Sequence, residues 1–299
     1  MPSQMNYIGR FAPSPTGELH FGSLVAAVGS YLRARECSGA WLVRMEDIDP
    51  PREVPGAAQA ILSGLAYFGL ESDRPVLWQS ERLEAYDAAL RLLRENGRCY
   101  PCGCTRADLP ANGVYPGTCR NGLTPLGTER CLRLRLEETR YCFRDGLQGV
   151  QEFDLAQISG DFVLRRADGL HAYQLAVVVD DAYQGITEVV RGLDLLDSTP
   201  RQIALQQALG HFQPRYLHLP LAVSESRQKL SKQNRARPVC REDPLRVLPE
   251  VLRFFGMDME DRPKSLAEFW RRAEARWCSQ RITKRTHVSI DAGWQLGGN

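Results

Sequence analysis

The 299-residue chain carries three groups of side chains whose types and spacing could do chemistry. Residues 10–23 combine Arg10 and His20 with two prolines and two glycines, several cysteines fall between residues 99 and 142, and residues 229–232 read Lys-Leu-Ser-Lys. Arginine and lysine hold the oxygens of phosphates and carboxylates, whereas closely spaced thiolates bind metal ions. The sequence therefore predicts an anion-binding site and a metal site.

The first group requires a strand, a turn and a helix to position it. Residues 7–12 are β-prone, the prolines and a glycine turn the chain, and a helical pattern follows with one apolar side. That side is formed by Leu24, Val25, Val28, Tyr31 and Leu32. The N-terminus of such a helix suits a nucleotide phosphate. Gly22 lets the ligand approach the backbone, and His20 can donate to phosphate oxygens. A proline-rich turn before an ordinary buried helix is the alternative.

A second set of candidates is predicted at the carboxyl edge of the same sheet, where α/β proteins bind ligands. Residues 41–45 form a buried strand that ends at Glu46, whose carboxylate could hold an ammonium group. In the second half, residues 186–190 form a strand ending at Arg191, and the apolar run of residues 171–181 suits a segment buried on both faces.

Together with Tyr173, which belongs to that apolar run, these side chains complement a particular kind of ligand. Arg10 and Arg191 offer two guanidiniums, Glu46 offers one carboxylate, and Tyr173 offers a phenol. An amino acid with two carboxylates and one ammonium group matches this set. The alternative is a structural ion pair between Glu46 and an arginine.

Nine cysteines, an odd number clustered unevenly, favour metal binding or free thiols over a secreted disulfide framework. Three thiols at short spacing in a loop-rich segment predict a structural, four-coordinate zinc site. The three are Cys102, Cys104 and Cys119. Chemistry leaves the fourth ligand open between Cys99 and Tyr115, and unligated thiols are the alternative to zinc. Cys131 and Cys142 are expected to be packed residues.

Composition bounds the class of protein. Hydrophobic residues make up 43% of the chain, enough for a packed core, and no apolar run approaches the roughly 20 residues of a membrane helix. The N-terminus lacks a secretory pattern, so we expect a cytoplasmic protein with no membrane association and no evident obligate protein partner. From residue 227 onward there are 16 Lys/Arg and 9 Asp/Glu. This positive excess indicates either that the segment binds a polyanion or that it forms a solvated helical surface.

Residues 10–17 and 20–23 resemble the first signature of class I glutamyl-tRNA synthetases, with Ser23 in place of the second histidine of the usual His-x-Gly-His. The Lys-Leu-Ser-Lys motif resembles the second signature, and Glu46-Asp47-Ile48-Asp49 adds a third ordered match. The resemblance covers about residues 7–235. It implies that the protein condenses L-glutamate with ATP, accompanied by Mg²⁺, to glutamyl-adenylate.

The resemblance also implies residue roles. Glutamate-binding positions are Arg10, Ala12, Ser14, Glu46, Tyr173 and Arg191. Nucleotide-handling positions are His20, Gly22 and Lys232, and the catalytic set is His20, Lys229 and Lys232. The zinc ligands favoured by the resemblance are Cys102, Cys104, Tyr115 and Cys119. The lost histidine at Ser23 puts part of the phosphate stabilisation in question.

The predicted fold is an α/β, Rossmann-type parallel sheet of the class I synthetase kind, split by a zinc-containing insertion and followed by a small helical domain. The predicted boundaries are 1–96 for the first half of the catalytic core, 97–170 for the insertion, 171–225 for the second half, and 226–299 for the lysine loop and helical end.

Only 66 residues follow Gln233, so we expect no long anticodon-binding portion. In this the chain resembles the shorter paralogues of the family, which attach glutamate to the queuosine base in the anticodon loop of tRNA(Asp). A minimal synthetase that charges a tRNA 3′ end, a non-catalytic glutamate-binding paralogue and an unrelated Rossmann nucleotidyltransferase are the alternatives.

Overall fold

The computed structural model describes residues 6–123, 127–223 and 238–289. The strands are β1 (Ile8–Phe11), β2 (Ala40–Met45), β3 (Leu77–Trp78), β4 (Cys99–Cys102), β5 (Cys131–Leu134), β6 (Arg140–Asp145), β7 (Gly149–Asp154), β8 (Val163–Arg165), β9 (Glu188–Gly192), β10 (Arg215–Leu219), β11 (Leu221–Val223) and β12 (His287–Ser289). The helices are α1 (Phe21–Glu36), α2 (Ala57–Tyr67), α3 (Leu83–Glu95), α4 (Leu155–Ile158), α5 (Tyr173–Gln184), α6 (Thr199–Leu209), α7 (Pro244–Phe254) and α8 (Leu266–Arg276).

Two groups of parallel strands meet at the centre of the molecule. β1 pairs in parallel with β2, and β2 with β3, while β10 pairs in parallel with both β9 and β6. The Thr187 backbone N–H, just before β9, donates to the Ile8 carbonyl at 2.9 Å, so β1 lies beside β9. β1 is thus flanked by strands on both sides, and ligands of open α/β sheets bind at such a reversal of strand order.

Helix α1 follows the predicted pattern. Leu24, Val25, Val28 and Leu32 are buried against the sheet, whereas Tyr31 is half-buried. The start of the helix is fixed by the His20 imidazole, whose Nδ1 accepts the Ser23 backbone N–H at 3.2 Å. This bond satisfies one of the unpaired N–H groups of the first turn.

The apolar run that includes Tyr173 is a helix, and the prediction of a segment buried on both faces of a sheet is wrong for it. Helix α5 spans the run and ends at Gly185, whose φ of 69° no β-branched residue would tolerate. A continuous apolar run carries no period, so it does not distinguish a central strand from a helix that is buried all round. Tyr173 therefore stands in the first turn of a helix.

The segment between residues 97 and 170 contains two different pieces. β4, β5 and β8 form a small antiparallel sheet beside a cluster of buried cysteines and tyrosines. β6 and β7 form an antiparallel hairpin, and β6 also pairs with β10 of the central sheet. The hairpin is thereby attached to the central sheet by strand pairing, whereas β4, β5 and β8 form a sheet of their own.

Helices α7 and α8 pack on the first half of the chain. Their buried side chains share one hydrophobic cluster with α1 and α2. The Trp270 indole N–H of α8 also donates to the Phe68 carbonyl at 3.0 Å. Within the described ranges, no helix is long and apolar enough to cross a membrane.

Candidate active site

One cleft gathers every predicted glutamate- and ATP-binding residue that the structure describes. It has a volume of about 500 Å³ and opens where β1 and β9 end beside the N-terminus of α1. The predicted residues that line it are Arg10, Ala12, Ser14, His20, Gly22, Glu46, Tyr173 and Arg191. Lys229 and Lys232 lie outside the described residues.

A buried ion network orients the acidic side of the cleft. Arg10 binds Asp181 through Nε at 3.2 Å and Nη2 at 3.3 Å, and Arg44 Nη1 binds the same carboxylate at 2.6 Å. Arg44 Nη2 then donates to Glu46 Oε1 at 3.1 Å. The structural ion pair considered as an alternative therefore exists, with Arg44. Because Glu46 also lines the cleft, its ion pair with Arg44 does not prevent it from contacting a ligand.

The charges of this network stabilise one another, because the Arg44 guanidinium lies between the carboxylates of Asp181 and Glu46. Burial opposes ionisation of Asp181, but Arg10 and Arg44 outweigh it and lower the pKa of that carboxyl. Burial raises the pKa of Glu46 in spite of Arg44 and Arg10. A ligand ammonium group beside Glu46 would therefore strengthen its ionised form. Sequence reasoning missed Arg44 and Asp181, although an acidic residue inside an apolar run is a signal for a buried ion pair.

Arg191 is held by a second chain of buried groups. Its Nε donates to His218 Nε2 at 3.1 Å, and His218 Nδ1 bonds Asp145 Oδ2 at 2.6 Å. Its Nη2 donates to Thr199 Oγ1 at 2.8 Å. His218 is therefore neutral with its proton on Nδ1, because Nε2 must offer a lone pair to Arg191. Burial lowers the pKa of His218, and although Asp145 opposes this, Arg191 lowers it further.

This arrangement leaves one donor of Arg191 available. Its Nη1 is buried and has no hydrogen-bond partner among the described residues. A buried guanidinium N–H without a partner is costly, and Arg191 lines the cleft. The arrangement suits a ligand carboxylate at this atom. The sequence pattern found Arg191 but not His218, Asp145 or Thr199.

The nucleotide side of the cleft is built on the start of α1. His20 and Gly22 line it, and the backbone N–H of Ser23 is occupied by the His20 cap. Pro238, the first described residue after the lysine motif, forms an antiparallel bridge with His20, and the Val239 N–H donates to the Leu19 carbonyl at 3.0 Å. Pro238 and Val239 are therefore held beside His20 and Leu19 by these backbone contacts.

The predicted metal ligands also come together. The sulfurs of Cys102, Cys104 and Cys119 lie within 4.8 Å of one another. The Tyr115 phenol oxygen lies 3.4 Å from Cys102 Sγ and accepts the Cys119 backbone N–H at 2.8 Å. Cys99 instead packs in another hydrophobic cluster, with its sulfur 3.8 Å from the Leu90 carbonyl oxygen. Three thiols and a phenol fit a closed, four-coordinate zinc site.

Arg133 supplies a positive charge to this cluster. Its Nε lies 3.3 Å from Cys102 Sγ, and its guanidinium carbon lies 3.8 Å from the centre of the Tyr115 ring. Burial opposes the Cys102 thiolate, but bonds from Tyr115 and Arg133 lower its pKa to about 7. Cys131 is packed in the cluster as expected. Cys142 is exposed, so its predicted packing is wrong: it alternates outward on the hairpin strand β6.

The fold and the cleft define a class of protein, the class I aminoacyl-tRNA synthetases with their Rossmann-type core. The chain belongs to the family of tRNA synthetases class I (E and Q), whose catalytic domain it matches over residues 8–112 and 121–284. The predicted fold class is thereby confirmed, and the protein is a ligase.

Individual relatives agree with this family. The chain is 53% identical over 284 residues to a Glutamyl-Q tRNA(Asp) synthetase of Chromobacterium violaceum, covering 92% of this chain and 95% of the relative. It is 52% identical over 297 residues to a protein of the same name from Xanthomonas campestris, covering 98% of each. A solved glutamate-tRNA synthetase from Elizabethkingia anophelis superposes with a TM-score of 0.80 at 25% identity, covering 96% of this chain and 68% of that one.

Proposed function

We propose that the protein activates L-glutamate with ATP in the absence of tRNA and transfers the glutamyl group to the queuosine base of tRNA(Asp), in the cytoplasm. The observation that carries the first step is the convergence of Arg10, Glu46, Tyr173 and Arg191 in one cleft beside the start of α1. The names of the relatives support the second step.

The cleft would bind glutamate by charge complementarity. Arg191 Nη1, which has no hydrogen-bond partner among the described residues, takes one ligand carboxylate, while Arg10 faces the other. Glu46, held by Arg44, takes the ammonium group. Arg10 keeps Asp181 as its counter-charge, but the described partners of Arg191 are uncharged. A ligand with an amide in place of the carboxylate at Arg191 would therefore leave that buried guanidinium without a counter-charge, which is strongly unfavourable.

ATP would lie against the N-terminus of α1, with Gly22 giving room and His20 donating to phosphate oxygens. An oxygen of the glutamate α-carboxylate attacks the α-phosphorus, and pyrophosphate leaves with the bonding electrons. Lys232 and Lys229 would stabilise that leaving group, and Mg²⁺ would accompany the nucleotide. The protein positions charges and forms no covalent bond in this step.

In the transfer step, a hydroxyl oxygen of the queuosine cyclopentenediol attacks the carbonyl carbon of the adenylate. An ester forms, AMP leaves and the hydroxyl loses its proton. Zinc, held by Cys102, Cys104, Tyr115 and Cys119, would be structural and take no part in either step.

A minimal glutamyl-tRNA synthetase is the second candidate, because a glutamate-tRNA synthetase shares the fold with a TM-score of 0.80. That protein is longer, since the chain covers 68% of it. Both candidates share the activation step and differ only in the acceptor.

The activation step is tested by pyrophosphate exchange without tRNA. We expect exchange with glutamate and at least a 100-fold lower rate with glutamine or aspartate, because two arginines in the cleft require two carboxylates at the correct separation. Exchange that strictly required tRNA, or that ran equally well with glutamine, would remove the assignment of Arg10 and Arg191 to a charged ligand.

A further inference from the structure

A second chamber adjoins the glutamate cleft and shares a wall with it. Its volume is about 440 Å³, within the range of roughly 300–1,000 Å³ typical of small-molecule pockets. Ser14, Glu46 and Tyr173 face both spaces, whereas Asp49 and Gln79 face only the second. Anything bound in the chamber would therefore lie directly beside the glutamate.

Gln79 presents an unpaired acceptor to this chamber. The side chain is fully buried, and its Nε2 donates to Asp180 Oδ2 at 2.8 Å. Asp180 also accepts from the Tyr86 hydroxyl and from Arg82 Nε, both at 2.6 Å, so it is an acceptor and the amide nitrogen must face it. The amide oxygen Oε1 is left without a partner among the described residues.

Asp49 presents a second acceptor. Its Oδ2 is bound by Arg52 and, at 3.1 Å, by Arg166 Nη1. Its Oδ1 is buried and has no partner within the described part of the chain. A buried acceptor without a partner is unfavourable unless a ligand or water satisfies it. Both of these atoms are acceptors, so at these two positions the chamber suits a ligand that brings hydroxyl donors, although Arg52 and Arg166 also line it.

We propose that this chamber is the acceptor site, in which Asp49 Oδ1 and Gln79 Oε1 accept hydrogen bonds from the vicinal diol of the tRNA nucleoside that receives glutamate. The assignment rests on the proposed function. The wall formed by Glu46 and Tyr173 places one diol hydroxyl next to the activated carboxyl, and the two acceptors fix the diol there. Two nucleosides carry such a diol, queuosine and the 3′-terminal adenosine.

The experiment compares activation with transfer in the same protein samples. Pyrophosphate exchange measures activation, and labelled glutamate measures transfer to queuosine-containing tRNA(Asp) with a 3′-terminal dideoxyadenosine, and to queuosine-free tRNA(Asp) with an intact 3′ end. The variants are Asp49→Asn and Gln79→Met. In Asp49→Asn, the arginines retain the amide oxygen, so an NH₂ donor replaces the acceptor Oδ1. Asp168→Asn is the matched control, because Asp168 Oδ2 also binds Arg166 Nη2, at 2.6 Å, but lies outside the chamber.

We expect Asp49→Asn and Gln79→Met to lower the ratio of transfer to exchange at least ten-fold on the tRNA that the parent uses, and Asp168→Asn to leave that ratio unchanged. An unchanged ratio in Asp49→Asn and Gln79→Met, with normal transfer by the parent protein, would overturn the assignment of the chamber as the acceptor site and leave the proposed function intact. A parent protein without exchange, or one that transfers only to the queuosine-free tRNA, would overturn the proposed function instead. If the parent transfers only to the queuosine-free tRNA, the ratio in Asp49→Asn and Gln79→Met still tests whether the chamber binds the diol, which is then that of the 3′-terminal ribose.

Discussion

At the scale of single residues, the proposed specificity for glutamate depends on how firmly Arg191 is held. A guanidinium has five donors, and here the surroundings take up Nε and Nη2 and direct Nη1 to the cleft. Asp145 fixes the His218 proton on Nδ1, which makes Nε2 the acceptor that Arg191 requires. His218 is therefore a positioning residue that acts through Arg191.

Replacing His218 by alanine should weaken glutamate binding more than ATP binding. The Arg191 guanidinium loses a charge-assisted contact, so we expect KM for glutamate in pyrophosphate exchange to rise about ten-fold, equivalent to about 1.4 kcal/mol. KM for ATP should change less than two-fold. His211→Ala is the control, since His211 lies after α6 and away from the cleft. Equal increases in both KM values would indicate a purely structural role.

The same residue predicts a pH dependence of stability. The pKa of His218 is lowered in the folded protein, so the unfolded chain binds more protons below its ordinary value of about 6.5. The free energy of unfolding should therefore fall as pH drops below about 6.5. The lowered pKa of Asp145 adds a further loss only as pH falls below about 4. Urea unfolding at pH 7.5 and 5.5 should show a smaller pH effect in His218→Gln than in the parent, and an equal effect would contradict the account.

The residues that line the cleft could be predicted, because they lie at the ends of strands or at the N-terminus of a helix, where the sequence pattern is local. Asp145 and His218 could not. They are separated by 72 intervening residues, and nothing local in the sequence marks either one. Their role comes from the pairing of β6 with β10, a long-range contact that no periodicity encodes.

At the scale of elements, the turn before β8 supports the proposed metal ligands. Gly160 has φ of 60°, and a Cβ there would lie 2.1 Å from the Tyr115 carbonyl oxygen. The Tyr115 N–H donates to the Ser159 carbonyl at 3.1 Å, so the two segments are joined tightly. A change at Gly160 must therefore displace the backbone that carries Tyr115, the proposed fourth ligand.

Gly160→Ala should lower zinc content and stability together. Gly169→Ala is the matched control, because Gly169 also has positive φ but has open space around its Cβ position. Both variants lose about 1–2 kcal/mol from the backbone conformation, and Gly160→Ala should lose at least about 2 kcal/mol more from the clash. Metal analysis should find one zinc per chain in the control and less than half of that in Gly160→Ala. Equal zinc in the two would contradict the proposed ligand set.

Helices and strands could be predicted where a hydrophobic period or a turn residue marks them in the sequence. The predictions of a helix after the proline-rich turn and of a buried strand over residues 41–45 are confirmed by α1 and β2. Helix α5 was not predictable, since Asp180 and Asp181 are buried by partners such as Tyr86 and Arg10 that lie 94 and 171 positions away. Tertiary contacts decided that element.

At the scale of the whole molecule, both halves of the sheet contribute residues to the same cleft. The proposed glutamate cleft draws residues from β1, α1, α5 and β9 and from the loop after β2, and the proposed acceptor chamber opens beside it through a common wall. Helices α7 and α8 close the hydrophobic core of the first half. In the proposed reaction, the amino acid, the nucleotide and the acceptor nucleoside would meet at one edge of the sheet.

The most direct test of this account is the position of the glutamate after transfer. Purified protein is incubated with ATP, labelled glutamate and tRNA(Asp) with or without queuosine, each ending in a dideoxyadenosine that offers no 3′ diol, and the tRNA is digested to nucleosides. The account predicts label on queuosine alone and none on the queuosine-free tRNA. Label on neither tRNA, with transfer restored by an intact 3′-terminal adenosine, would contradict it and leave the minimal glutamyl-tRNA synthetase.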